Sequence, residues 1–124
     1  MVPEKLRQIL TEEGTVAIVT QGEDGPHLSN TWHSYLEITP EGHFVYPAGG
    51  MVETEKNVQR DAKVLVTVGG RNVEGKAGHP GAGFLIRGHA EFVAAGPRFK
   101  ALKKRFPWAR AAVVVVPESI VQTL

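Results

Sequence analysis

Two stretches of this 124-residue chain hold residues whose types and spacing could do chemistry. The first runs from Gly25 to Ile38, GPHLSNTWHSYLEI, and sets amides, hydroxyls and imidazoles beside a tryptophan and a tyrosine. Read as one strand, alternation puts Leu28, Asn30, Trp32, Ser34, Leu36 and Ile38 on a common face. An asparagine buried on such a face must find partners, because each unmet polar group costs about 1–3 kcal/mol. Its amide offers a donor and an acceptor together. That suits a planar heterocycle with carbonyls and ring nitrogens, and it equally suits a neighbouring backbone. Trp32, Tyr35 and Trp108 read either as walls of such a site or as core aromatics.

The second stretch is Ala48-Gly49-Gly50-Met51-Val52-Glu53-Thr54. A Gly-Gly pair leading into a Thr-capped helix exposes backbone N–H groups and the positive helix end, a setting for an anion. Taken alone, Thr54 has a simpler reading as a plain N-cap.

Other chemistries find less support. The histidines are His27, His33, His43, His79 and His89, without HxH or HxxxH spacing. On one strand His27 and His33 would lie roughly 20 Å apart, while one metal needs its ligands within ~2.1 Å of itself. Solvent-facing histidines are the expected reading. No Gly-x-Ser-x-Gly elbow exists, and Ser34 beside His33 on a strand points to the opposite face. Gly78-His79-Pro80-Gly81-Ala82-Gly83 lacks the Lys-Ser/Thr ending of a phosphate loop and reads as a hairpin loop. Lys103, Lys104 and Arg105 read as a solvated helix face.

The elements that must position the two stretches follow from periodicity. Pro3 to about Glu12 reads as a helix with Leu6, Ile9 and Leu10 on one face, ended by Gly14. Thr15–Gln21 is a β-branched strand, Asp24-Gly25 a hairpin turn, and the strand after it is expected to reach Ile38. His43–Pro47 is a third strand, and Thr54 to about Ala62 a second helix capped by Thr54. Lys63–Gly69 and Ala82–Val93 are strands separated by a glycine-rich loop, Gly70–Gly81. Gly96-Pro97 opens a third helix that Pro107 ends, with Phe99, Leu102 and Phe106 on one face. Ala109–Val116 is the last strand and Pro117–Leu124 a tail. Tight turns between strands imply antiparallel pairing. The expectation is a mostly β protein: about six antiparallel strands in a small Greek-key barrel with three short helices, as one domain over residues 1–124.

Composition narrows the function class. Net charge is +1, so no charge field recruits nucleic acid. The chain has no cysteine, which removes disulfides, thiolate metal sites and thiol nucleophiles and fits a reducing cytoplasm. The start, MVPEKLRQIL, does not read as a secretory signal, and no segment reaches the ~18 apolar residues of a membrane helix. Neither secretion nor a membrane is expected.

Several motifs together bring a family into view. They are QGEDGPHLSNTW (Gln21–Trp32), SYL (Ser34–Leu36), GGM with Thr54-Glu55 and Asn57-Val58, GFLIRG (Gly83–Gly88), WARAA (Trp108–Ala112) and the final QTL. On these the chain resembles the small bacterial FMN-binding members of the pyridoxamine 5′-phosphate oxidase-like split β-barrel superfamily, over nearly its whole length. The resemblance implies a homodimer holding one FMN per subunit near the interface. It implies that Asn30, Thr31 and Trp32 line the flavin, that Gly49, Gly50 and Thr54 meet the ribityl phosphate, and that Trp108 and Leu124 lie near the isoalloxazine, Leu124 from the partner chain. The chemistry of electrons would belong to the cofactor. Without an evident acid–base residue or second substrate site, an electron carrier with an unknown redox partner is favoured. A flavin reductase or pyridoxamine-phosphate-oxidase-like enzyme is the first rival, and a cofactor-free dimeric barrel the second.

One position departs from the family pattern, which has lysine where this chain has Glu53. A carboxylate beside a phosphate is unfavourable, on the order of ~4 kcal/mol at 4 Å and an effective dielectric of ~20. Glu53 could turn to solvent, Lys56 could reach back, or Arg71 or Arg87 could supply the charge.

Overall fold

The computed structural model describes residues Met1–Leu124. Three α-helices, α1 (Glu4–Ile9), α2 (Val52–Arg60) and α3 (Pro97–Arg105), accompany seven strands. The strands are β1 (Thr15–Gly22), β2 (Gly25–Trp32), β3 (Glu37–Ile38), β4 (Phe44–Ala48), β5 (Lys63–Glu74), β6 (Pro80–Val93) and β7 (Ala111–Gln122). All pairings are antiparallel, and the spatial order is β2-β1-β5-β6-β7-β4-β3. The mostly β architecture matches the expectation, with seven strands in place of six and a sheet that does not close.

The extra strand arises inside the stretch expected to be continuous to Ile38. β2 stops at Trp32, a 3₁₀ turn takes His33–Tyr35, and β3 resumes for two residues. The His33 ring is the cause. It is buried, its Nδ1 donates to the Glu12 carbonyl at 2.8 Å, and its backbone N–H donates to the Gly14 carbonyl at 2.8 Å. Those bonds pull the chain out of extended geometry, so the alternation beyond Trp32 lapses.

A loop and the tail of the sequence reading are largely strand instead. β5 runs on to Glu74 and β6 starts at Pro80, so the glycine-rich segment is mostly a hairpin arm closed by a short 3₁₀ turn at Lys76–Gly78. β7 continues through the expected tail to Gln122. It does so across a register shift at Arg87/Gly88, where Pro117 sits opposite Gly88. A bulge tolerates a proline that a central ladder would reject.

The core lies inside the curved sheet. Val16, Ile18, Val64, Val66, Phe84, Ile86, Val113 and Val115 point into it, with Leu6 and Ile9 of α1 and Val58 of α2 closing it. The inward positions of β1 alternate, as a half-buried strand requires. The Tyr46 hydroxyl is also buried there without a partner, and burial pushes its ionisation well above the ordinary tyrosine range. A second cluster, Val45, Leu102, Phe106, Ala109 and Ala112, seats α3 on the outer side of β4 and β7.

Incomplete closure is what makes room for a site. β2 pairs only with β1, so its outer edge is unpaired. β3 covers β4 only at Phe44 and Val45, which leaves the edge open from Tyr46 to Ala48. Pro47 on that edge lacks an N–H, as suits an unpaired margin. The open ends of β2 and β4 face one hollow.

Candidate functional site

The hollow measures about 300 Å³ and is lined by Thr15, Asn30, Thr31, Trp32, Tyr35, Pro47, Gly49, Gly50, Met51 and Trp108. Six residues singled out from the sequence therefore converge: Asn30, Thr31 and Trp32 from β2, Gly49 and Gly50 after β4, and Trp108 after α3. None of the four larger hollows has this character. One of about 740 Å³ lies between α3 and the β3–β4 hairpin and is bordered by the ion pairs Arg98–Glu41 and Arg105–Glu37. One of about 440 Å³ at the β1–β2 tip has no apolar lining residue. Only the β2–β4 hollow joins aromatic walls, an amide and unpaired backbone, the mix that recognises a flat polar ring.

Asn30 differs from its expected setting. It is exposed, and its Nδ2 donates to the Val16 carbonyl on β1 at 3.1 Å. The backbone partner thus claims one N–H of the amide. The second N–H and the Oδ1 acceptor remain for a ligand at the mouth of the hollow. Thr31, by contrast, is buried.

Trp108 forms the opposite wall. Its ring lies 5.7 Å from Tyr35 and 5.6 Å from Phe106, tilted against both. It packs so closely on Gly49 that a Cβ there would sit 3.0 Å from its Cε3. Even so, Trp108 is 52% exposed and Trp32 45% exposed. Two half-bare indoles flanking a trough leave apolar surface that a stacked ring would cover.

Thr54 is not the N-cap. α2 begins at Val52, after Met51 in the left-handed region at φ 59°, an unfavourable conformation for a residue with a side chain. Thr54 lies in the first turn, buried, and its Oγ1 donates to Ser29 Oγ at 3.2 Å. One turn on, Asn57 Nδ2 donates to the buried Thr20 hydroxyl at 3.1 Å. Thr54, Asn57 and Val58 make the buried stripe that seats α2 on β1 and β2. Ser29, with its own proton left to give, stands beside the start of the helix.

Arg110 shapes the glycine bend, and sequence reasoning did not single it out. Its Nε and Nη2 donate to the Gly50 carbonyl at 3.0 and 2.7 Å, and its Nη1 donates to Glu55 at 2.8 Å. The Gly50–Met51 peptide is planar and trans, so a carbonyl held on Arg110 sends the Met51 N–H the other way. A left-handed Met51 followed by a helical Val52 then turns successive N–H groups to one side, the geometry of an anion nest. Only its place in WARAA hinted at Arg110, because its partners lie 55 and 60 residues away.

Glu53 settles into solvent. Its carboxylate pairs with Lys56 at 3.6 Å, both side chains about two-thirds exposed (65% and 66%). Arg71 donates to the Pro80 carbonyl in the hairpin arm, and Arg87 lies exposed on β6. Neither stands at the hollow.

The 3₁₀ turn carrying Tyr35 is fastened by Glu13. Ser34 donates its hydroxyl to Glu13 Oε2 at 2.5 Å and its backbone N–H to Oε1 at 3.1 Å. The Ser34 hydroxyl, then its N–H, holds the Glu13 carboxyl below the usual carboxylate range. Its folded pKa is depressed, so its contribution is present above the ordinary carboxylate pKa and fades as pH falls through the folded value. Urea melts of the native chain and Glu13→Gln should therefore differ at neutral pH and converge in acid. A constant difference across that window would show that Glu13 is not titrating in this clamp.

Leu124 does not line the hollow of its own chain. It is 62% exposed, and its N–H reaches the Gly83 carbonyl at the far end of β6. Ala111, at the site end of β7, pairs with Ala48, and the strand runs from there to Gln122, up to about 36 Å of extended chain.

Comparison with known proteins agrees with this architecture. The family described as "Pyridoxamine 5'-phosphate oxidase" matches residues 2–122. An FMN-binding protein of Nitratidesulfovibrio vulgaris (strain DSM 19637 / Miyazaki F) is 55% identical over 124 residues, covering 100% of both chains. Among solved structures, HupZ of Group A Streptococcus superposes with a TM-score of 0.80 at 16% identity, over 98% of this chain and 94% of that one. An FMN-binding protein from Syntrophomonas wolfei subsp. wolfei gives 0.72 at 16% identity, over 98% and 85%. The two solved structures show the shared fold alone, while the family match and the 55% relative span essentially the whole chain. This chain belongs to the pyridoxamine 5′-phosphate oxidase family.

Proposed function

We propose that this protein binds FMN in the β2–β4 hollow and serves in electron transfer as a homodimer. The observation that carries the reading is the trough itself: two half-exposed indoles, an amide with a free acceptor, and a backbone nest converge where the sheet fails to close. The 55% identical relative, named an FMN-binding protein, supports it.

The residues fit the group. Trp32 and Trp108 would flank the isoalloxazine, and Asn30 with the open edges of β2 and β4 would meet its polar rim. The Gly49–Val52 bend, the first turn of α2 and the Ser29 hydroxyl would take the phosphate. Thr54, engaged with Ser29, would act by holding that hydroxyl in place. When bound, FMN would supply reversible electron uptake, and the protein's part is to bind, orient and desolvate it. Purified protein is expected to be yellow and to release FMN, identified by mass spectrometry. A colourless protein that stays colourless with excess FMN would refute the reading.

The hollow is at the lower end of small-molecule sites (about 300–1,000 Å³). A tricyclic ring with a phosphorylated side chain would project from a hollow of this size. The C-terminal part of β7 offers a cover, since Val116, Val121 and Leu124 are 42%, 53% and 62% exposed. In a two-fold dimer the partner's Leu124 would lie over the flavin. Deleting Leu124 should then shift the flavin absorption spectrum and redox potential; identical values would count against the partner's role. The absence of cysteine is consistent with a cytoplasmic setting, and no helix is long and apolar enough to cross a membrane.

Glu53 lies one position into α2, exposed and paired with Lys56. Its repulsion on a phosphate is screened, so it weakens binding without preventing it. Glu53→Lys should tighten FMN by about 3–10-fold at low salt, less at high salt. Fluorescence titration at two ionic strengths checks this, and an unchanged affinity would place the side chain outside the phosphate's field.

A further inference from the structure

Lys103 belongs to a run of three bases on α3 that the sequence presents as a solvated face. In the fold it behaves differently from its neighbours. Its Nζ donates to the Pro107 carbonyl at 3.1 Å and to the Ala109 carbonyl at 2.7 Å. Those two residues immediately precede and follow Trp108. The ammonium also lies 5.7 Å from the centre of the Phe99 ring. Lys104 makes no ion pair or side-chain hydrogen bond, and Arg105 reaches Glu37 only at 4.0 Å and lies over the Phe106 ring at 4.9 Å, without holding the backbone around Trp108.

We infer that Lys103 is a positioning residue for Trp108, fixing the turn after α3 so that the indole stands as one wall of the flavin trough. The segment needs such a clamp. α3 ends at Arg105, and Pro107 has no N–H to extend it. One backbone bond, Ala109 N–H to the Phe106 carbonyl at 2.9 Å, closes the turn. The Pro107 and Ala109 carbonyls then face a lysine one turn back, whose three donors can serve both at once. On the far side, Trp108 meets Gly49, Tyr35 and Phe106 through apolar contacts that set its distance from the bend but leave its backbone to be held elsewhere. Bonds from a charged donor are worth more than neutral ones, and the one to Ala109 is partly shielded from solvent. Lys103 would thus act on FMN through Trp108, without touching it, so the inference rests on the FMN reading for its functional half alone.

The chain has two tryptophans, so Trp32→Phe leaves Trp108 as the single reporter. In that background, without cofactor, Lys103→Met should lower the near-UV circular dichroism of Trp108 and raise its acrylamide quenching. Lys103→Arg should restore part of both, and Lys104→Met should change neither. In the otherwise native chain, Lys103→Met should weaken FMN binding by about 5–20-fold, less than the about 10–150-fold worth of a charge-assisted bond, because Lys103 acts only through Trp108. Trp108 signals that match those of Lys104→Met would overturn the positioning role. A loosened Trp108 with unchanged FMN affinity would overturn its functional consequence. Absence of FMN binding by the native chain would defeat the FMN reading, while the Trp108 signals would still decide whether Lys103 holds the turn.

Discussion

Gly49→Val is expected to weaken FMN binding by at least about 100-fold, or about 2.7 kcal/mol, while leaving the fold standing. The argument is steric. A Cβ at this position already sits 3.0 Å from Trp108 Cε3 and 3.2 Å from Cζ3. Two further methyl carbons have no place to go except into the indole or into the hollow that the flavin would fill. Trp108 is half exposed and can swing outward at modest cost, so stability should change by less than about 1 kcal/mol. Gly49→Ala supplies the intermediate step, since one Cβ at that distance asks the indole to give by a few tenths of an ångström. Titration of flavin fluorescence across Gly, Ala and Val should give a graded loss. A valine variant that binds as tightly as the native chain would mean that FMN does not use this wall.

The second large effect is structural. Gly88→Ala should cost about 3 kcal/mol or more, and lower the melting temperature by about 10 °C. The position lies at the register shift between β6 and β7, where a Cβ would come within 2.3 Å of the Val116 carbonyl oxygen. The obstacle is backbone, so no rotamer change relieves it. The bulge itself must move, and with it the strand from Pro117 to Gln122 that crosses β6. Gly69→Ala is the matched control, because its Cβ would meet only ordinary contact at 3.6 Å. Urea denaturation of the two variants tests the claim, and equal stabilities would show that the bulge can absorb a methyl group. If β7 also carries the cover for a partner's flavin, Gly88→Ala should loosen the dimer as well, which sedimentation can measure.

The two effects bear on different links of the chain from sequence to function. Gly88 governs where β7 goes, and so whether its apolar end reaches a neighbour. Gly49 governs only how near Trp108 stands to the bend. Arg110 joins the two levels, because a side chain just before β7 holds the Gly50 carbonyl and thereby aims the N–H groups of the bend.

Much of this was legible in the residues. Alternating Val16, Ile18 and Thr20, the Asp24-Gly25 turn and the apolar Leu6–Ile9 face of α1 set local geometry through periodicity and turn chemistry, which act within a few residues. The same local rules placed Asn30, Thr31, Trp32, Gly49 and Gly50 in two segments, and the family motifs joined them to Trp108. Local rules failed where a distant partner overrode them. His33 left the strand because Glu12 and Gly14, 21 and 19 residues earlier, offered its ring and its N–H better bonds. Thr54 became an anchor because Ser29 stood opposite it. Lys103 read as surface charge and Arg110 drew no reading of its own, because the carbonyls they hold are met only after the chain has turned.

By itself, the sequence determined most of the element types, the antiparallel mostly β class and a set of candidate residues for a flat, phosphorylated ring, since propensity and pattern are properties of neighbouring residues. Tertiary structure alone decided that the sheet stays open between β2 and β4, that Asn30 shares its amide with Val16, and that Leu124 ends far from its own chain's trough. Those outcomes depend on which edges meet and which side chains reach across, and no local pattern encodes a pairing between segments that first become neighbours in the folded chain.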